Sequence, residues 1–215
     1  MTDHPERWVV LDVGETIVEE TRIWSAWADE LGIPRMTFLA AFGAIVEREL
    51  QYQHVFDLFP VRDWVQHRDA VERRLGGLRR DDLYPDALPA LAQFRERGYR
   101  TAILGNQPAS RTPELRAIGV DAEVIAMSDE MGVAKPDPAF FDQTLERLGR
   151  PDPSAVAYVG DRIDNDVRPS SAAGMRAVWL RRGPWGIIPR QVPPQAHLVV
   201  DSLTELAQRL DEVWA

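Results

Sequence analysis

The chain has no cysteine among its 215 residues, which excludes a disulfide framework, a thiolate zinc site and a catalytic thiol. It also lacks a long apolar run. The longest, Phe38 to Val46, is nine residues and includes a glycine, far short of the roughly 20 that span a bilayer. Met1 to Arg7 is charged and has no apolar core, so no cleaved signal is expected and the cytoplasm is the default location. Positive charge is scarce: 25 Lys and Arg face 34 Asp and Glu, a net charge of −9 at pH 7. That balance argues against a nucleic-acid backbone or an anionic membrane as partner. An anionic substrate would need a local cation, a metal or oriented backbone amides. The histidines His4, His54, His67 and His197 are scattered without metal-ligand spacing.

What remains is ordinary soluble globular composition, 45% hydrophobic and 27% charged. The length suits one domain with a sizeable insert, or two small ones. Trp8 to Leu11 is a short apolar run ending at Asp12 and Gly14, the pattern of a buried strand entering a turn. Similar runs lie at Thr101–Leu104, Val124–Ala126, Ala155–Val159, Ala177–Leu180 and His197–Val200. Helical patterns alternate with them: Leu88, Leu91 and Phe94; Phe141, Leu145 and Leu148; Leu203, Leu206, Leu210 and Val213. Ser202 and Glu205 predict a capping box for the last helix. Wholly apolar strands alternating with helices predict a parallel sheet covered on both faces.

One segment breaks the alternation. From about Thr21 to Leu78 the periodicity is helical throughout, with Gly32-Ile33-Pro34 separating two stripes and Val61 to Leu75 forming a third element. This predicts an all-helical insert after the first strand. Its Trp and Phe stripes have the spacing of a core face, although a ligand-facing wall would use the same residues. Arg182 to Pro194 is rich in Pro and Gly and is expected to be a surface loop. No internal repeat is present.

Ligands of open parallel sheets bind at the carboxyl ends of the strands, and four such ends are polar. They are Asp12-Val13-Gly14-Glu15-Thr16, Gly105-Asn106, the stretch from Gly132 through Lys135 to Pro138, and Gly160-Asp161 through Asn165-Asp166. Singly, each has a plain reading as a cap, a turn or surface charge. In this order they resemble the haloacid dehalogenase superfamily of hydrolases, in the helical-cap branch (subfamily I), and the resemblance runs from Trp8 to Trp214.

The resemblance implies a Rossmann-like three-layer α/β core from residues 1–17 and 80–215, with a helical cap at 18–79. It implies a nucleophilic Asp12 and a charge-neutralising Lys135. It places Mg²⁺ between Asp12, the Gly14 carbonyl and Asp161, with Asp166 as a further ligand or support. Thr16, Gly105 and Asn106 would bind phosphoryl oxygens or order the loop. Carboxylate nucleophiles form acyl-phosphate intermediates, and a hard oxygen-ligated cation screens the repulsion between two anions.

Two positions depart from the phosphatase pattern. The family's second Asp, which transfers protons, is Gly14 here, and its usual Ser or Thr is Gly105. General acid–base catalysis is worth roughly 10²- to 10⁴-fold, so hydrolysis of an alkyl phosphate should suffer and Gly14→Asp should raise it. Glu15 is adjacent, but neighbouring side chains leave an extended backbone in different directions. The expected activity is a slow Mg²⁺-dependent hydrolysis of a small phosphorylated metabolite by a monomer or homodimer. The alternatives are a catalytically silent ligand- or partner-binding protein and, behind both, a 2-haloacid dehalogenase. In this branch specificity comes from cap residues facing the catalytic tip. Spacing does not choose among Glu19, Glu20, Arg22, Trp24, Arg48, Gln51 and His54.

Overall fold

A computed structural model describes residues 6–215; Met1 to Pro5, most of the segment read as lacking a leader, lies outside the described residues. Six strands form one parallel sheet: β1 (Trp8–Leu11), β2 (Arg100–Gly105), β3 (Val124–Met127), β4 (Val156–Gly160), β5 (Arg176–Leu180) and β6 (Leu198–Val200). Their order is β3-β2-β1-β4-β5-β6. The chain therefore reverses its winding at β1, whose neighbours are β2 and β4. That switch point opens a crevice beyond the carboxyl ends of β1 and β4.

Alternation of side chains along β1 divides the core. Val9 and Leu11 join one cluster with α4 (Ala87–Glu96) and α10 (Leu203–Arg209). Trp8 and Val10 join another with Phe140 and Phe141 of α7 (Pro138–Arg147). The strands are buried on both faces, which is why they read as unbroken apolar runs. The predicted capping box is half made. Glu205 N–H donates to Ser202 Oγ at 3.0 Å, but the Glu205 carboxylate accepts from Asp201 N–H rather than from the cap residue.

The segment after β1 is helical, with α1 (Thr21–Glu30), α2 (Arg35–Glu47) and α3 (Arg68–Leu75). Gly32, at φ 66°, takes the left-handed conformation that ends α1 and lets Pro34 cap α2. Two 3₁₀ turns, Tyr52–Leu58 and Trp64–His67, complete the insert, and the first had no signal in the periodicity. Phe38, Phe42, Ile45, Val55 and Phe56 form a separate core. Arg22 of α1 holds the far end of the insert by bonding the Leu75 and Gly77 carbonyls, and reaches beyond it through an ion pair with Asp82.

The expectation of a surface loop at Arg182 to Pro194 is corrected in its first half. Gly183–Ile187 is a short helix, and Trp185 is buried in the insert's core with its ring 6.1 Å from that of Phe42. Pro184 can start a helix because the first turn needs no N–H from it, and aromatic burial then anchors the segment. Among the described residues no helix is long and apolar enough to cross a membrane.

Candidate active site

Asp12 follows β1 directly, and its amide donates to the Val159 carbonyl of β4 at 2.9 Å. The switch-point strand thus fixes its position. Lys135 is fully enclosed: its ammonium lies 2.7 Å from Asp12 Oδ1 and 2.6 Å from Asp166 Oδ1. The rings of Tyr158 and Phe140 lie 5.4 Å and 5.9 Å from the same nitrogen. Burial works against its charge, but Asp12 and Asp166 outweigh that and hold its pKa well above the usual lysine value.

Asp161 and Asp166 come from the end of β4 and the π-turn Ile163–Val167 behind it. A Cβ on Gly160 would fall 2.6 Å from Asp166 Cβ, so only glycine lets the turn fold back this closely. Asp166 Oδ2 accepts from the Arg162 amide at 2.9 Å. Asp164, in the same acidic turn, points elsewhere and pairs with Arg162.

Asp12, Asp161 and Asp166 each offer one oxygen, and those oxygens lie within 4.8 Å of one another. Three carboxylates against one ammonium leave two negative charges uncompensated in a buried place. Burial, then the charges of Asp166 and Asp12, push the Asp161 carboxyl well above the usual range. Burial pushes Asp166 up to about 6 against the pull of Lys135. Asp161 Oδ2 is buried without a hydrogen-bond partner among the described residues. An orphaned carboxylate oxygen in an all-oxygen donor set fits a hard divalent cation.

The other expected site residues divide. Gly14 and Asn106 line the same cavity as Asp12 and Lys135, with a volume of about 400 Å³. Asn106, however, spends its side chain on Lys135, donating to its carbonyl and accepting from its amide at 2.8 Å each. It positions the lysine. Gly105 leaves room for the Asp12 carboxylate, because a Cβ there would collide with Asp12 Oδ1 and sit 3.0 Å from Val13 Cγ2. The Thr16 hydroxyl is fully buried without a partner among the described residues, while its carbonyl accepts from Arg182 Nη1 at 3.0 Å. Its place is in the loop's interior.

Of the insert's polar residues, Glu20, Trp24 and Gln51 line the cavity. Gln51 bonds both Arg162 and Asp164, joining the insert to the turn after β4. Arg22 is taken up by Asp82, His54 pairs with Asp57, and Arg48 is exposed. Glu19 accepts from the Thr21 amide at 3.1 Å. Glu15 sits at φ 52°, with its carboxylate accepting from the Tyr84 hydroxyl and from the Glu20 amide. Burial pushes its pKa up. Sequence reasoning passed over Arg162, whose guanidinium lies 3.8 Å over the Trp185 ring. Asp164 is its neighbour in the same turn, but Gln51 and Trp185 come from distant segments, so no local pattern announces it.

The family model described as haloacid dehalogenase-like hydrolase matches residues 6–174. Over 103 residues the chain is 38% identical to a glyceraldehyde 3-phosphate phosphatase from Methanopyrus kandleri, covering 46% of this chain and 44% of that one. Over 119 residues it is 38% identical to a phosphoserine phosphatase from Thermus thermophilus, covering 54% and 47%. The matched segments therefore span about half the length of these curated relatives. A solved haloacid dehalogenase-type phosphatase from Thermococcus onnurineus superposes with a TM-score of 0.64 at 25% identity, over 95% of this chain and 97% of that one. Sheet order, the four strand ends and a family match across most of the chain lead to one conclusion: the chain belongs to the haloacid dehalogenase-like hydrolases.

Proposed function

We propose that this chain is a Mg²⁺-dependent hydrolase of a small phosphorylated metabolite, working through an aspartyl-phosphate on Asp12. The observation that carries this reading is the contact of Asp12 with Lys135 at 2.7 Å inside a three-carboxylate cluster. Asp12 would attack phosphorus while the buried ammonium neutralises charge gathering on the transferred group. Asp12, Asp161 and Asp166, with the Gly14 carbonyl, would hold the cation, which when bound stabilises charge on the phosphoryl oxygens. Gly105 and Asn106 serve by leaving space for Asp12 and by steadying Lys135. The same reading makes 18–79 the cap over a core of 1–17 and 80–215, in a cytoplasmic setting. The insert's own apolar cluster, joined from the core portion by Trp185 and Ile188, supports that division.

A 2-haloacid dehalogenase would need no metal, so the clustered acids weigh toward phosphoryl chemistry. Phosphatase names among the relatives point the same way. The test is a panel of aryl, acyl and alkyl phosphates assayed with Mg²⁺ and with a chelator, on wild type and Asp12→Asn. Turnover that needs both the metal and Asp12 is expected. Metal binding without turnover across the panel would overturn the reading in favour of a silent ligand-binding member.

A further inference from the structure

The cavity wall opposite Lys135 contains a carboxylate where the family resemblance leads one to look for none. Position 14 has no side chain, yet its space is filled. A Cβ on Gly14 would fall 2.7 Å from Glu20 Cδ, inside the envelope of that carboxylate. Glu20 belongs to the hinge just before α1, and its side chain makes no cap bond to that helix. It is instead held from both sides of the cavity. Gln107 Nε2, beyond the end of β2, donates to Oε1 at 3.0 Å, and Trp24 Nε1, one turn into α1, donates to Oε2 at 3.1 Å. The Glu15 carboxylate fixes the hinge by accepting from the Glu20 amide at 2.9 Å. Glu15 is itself engaged by the Tyr84 hydroxyl, whereas the two Glu20 oxygens meet only the neutral N–H donors of Gln107 and Trp24. Each Glu20 oxygen has one N–H donor, so lone pairs remain to carry a proton.

From this placement we infer that Glu20 is the proton-transfer residue of the site, reaching in from the hinge to the position that residue 14 has given up. The inference rests on the phosphohydrolase reading above. In the first half-reaction Asp12 Oδ forms a bond to phosphorus and the ester P–O bond breaks. The carboxylic acid of Glu20 gives its proton to the departing alkoxide, yielding an alcohol and the Glu20 carboxylate. In the second, that carboxylate takes a proton from the attacking water. The new P–O bond then displaces the Asp12 carboxylate and releases phosphate.

The experiment follows p-nitrophenyl phosphate and glycerol 3-phosphate in the presence of Mg²⁺, using wild type, Glu20→Gln, Glu20→Ala, Asp12→Asn and the double variant Gly14→Asp/Glu20→Ala. Nitrophenolate leaves without a proton, so Glu20→Gln is expected to give a burst of one equivalent per enzyme. Its steady rate should then fall by about 10²- to 10⁴-fold, with KM falling alongside it because the phospho-enzyme accumulates. Glycerol 3-phosphate turnover should fall by at least as much with no burst. Asp12→Asn should abolish the burst. Gly14→Asp should restore turnover in the Glu20→Ala background, where the space beside position 14 is vacated, which a merely structural Glu20 would not permit. A steady rate for Glu20→Gln close to that of wild type overturns the role of Glu20 while leaving the phosphohydrolase reading standing. Folded wild type that releases no nitrophenolate overturns both.

Discussion

Asn106 and Lys135 clasp each other through two hydrogen bonds of 2.8 Å, the Asn106 amide meeting both the carbonyl and the amide of Lys135. The residue after β2 thereby sets the height of the one ammonium that faces Asp12. Asn106→Ala should leave the fold intact and lower kcat. Two neutral hydrogen bonds of about 1 kcal/mol each correspond to a loss of roughly 10- to 100-fold. Steady-state kinetics beside a urea melt would separate positioning from unfolding; an unchanged kcat would count against it.

Gly105 makes an unexpected prediction. The family's usual hydroxyl at this position would look like an improvement, but a Cβ here would collide with Asp12 Oδ1. Gly105→Ser should therefore depress activity, since displacing a reacting group by an ångström can cost about 10²-fold. A gain in turnover would show that Asp12 can move aside at no cost.

Lys135→Met removes the ammonium between Asp12 and Asp166. Breaking a buried ion pair from one side costs about 3–5 kcal/mol. In the presence of chelator the variant should lose stability on that scale, and Mg²⁺ should recover part of it by neutralising the same carboxylates. Denaturant melts with and without the cation test this. A variant as stable as wild type in chelator would contradict it.

The Arg22–Asp82 pair predicts an acid limb in stability. Burial opposes the charge on Asp82, but the Arg22 guanidinium, with the Arg79 amide, outweighs it and holds the carboxyl below the usual range. A lowered folded pKa gives stability that is present above the unfolded value of about 3.9 and is lost as pH falls through the folded one. Asp82→Asn should be less stable at neutral pH and should lose less stability than wild type below about pH 4. Parallel acid limbs for the two proteins would remove the pair from the account.

Trp185 tests the corrected loop. It is 9% exposed and packs in the insert's core while carrying the Arg162 guanidinium on its face. Trp185→Ala should destabilise by about 3 kcal/mol, the low end for a buried aromatic. A change below 1 kcal/mol would return the segment to the status of a surface loop.

The sequence alone determined the sheet and most of the residues that gather at the candidate site. Strands buried on both faces must be apolar throughout, so β1 to β6 are visible as runs. Asp12 and Asp161 stand at the ends of β1 and β4, where a parallel sheet gathers polar groups, Asp166 follows in the turn after β4, and Lys135 lies beyond the short helix Ser128–Met131 that follows β3. The helical insert was equally legible from its 3.6-residue period. Contacts between distant segments were not. Trp185 is buried by residues more than a hundred positions away, and the Glu205 carboxylate takes the Asp201 amide rather than that of the Ser202 cap. Most of all, Gly14 reads in the sequence as an empty place. Only the folding of the hinge back over that glycine, with Gln107 and Trp24 holding its carboxylate, puts Glu20 there. Composition cannot encode the distance between a missing side chain and another that arrives six residues later; packing decides it.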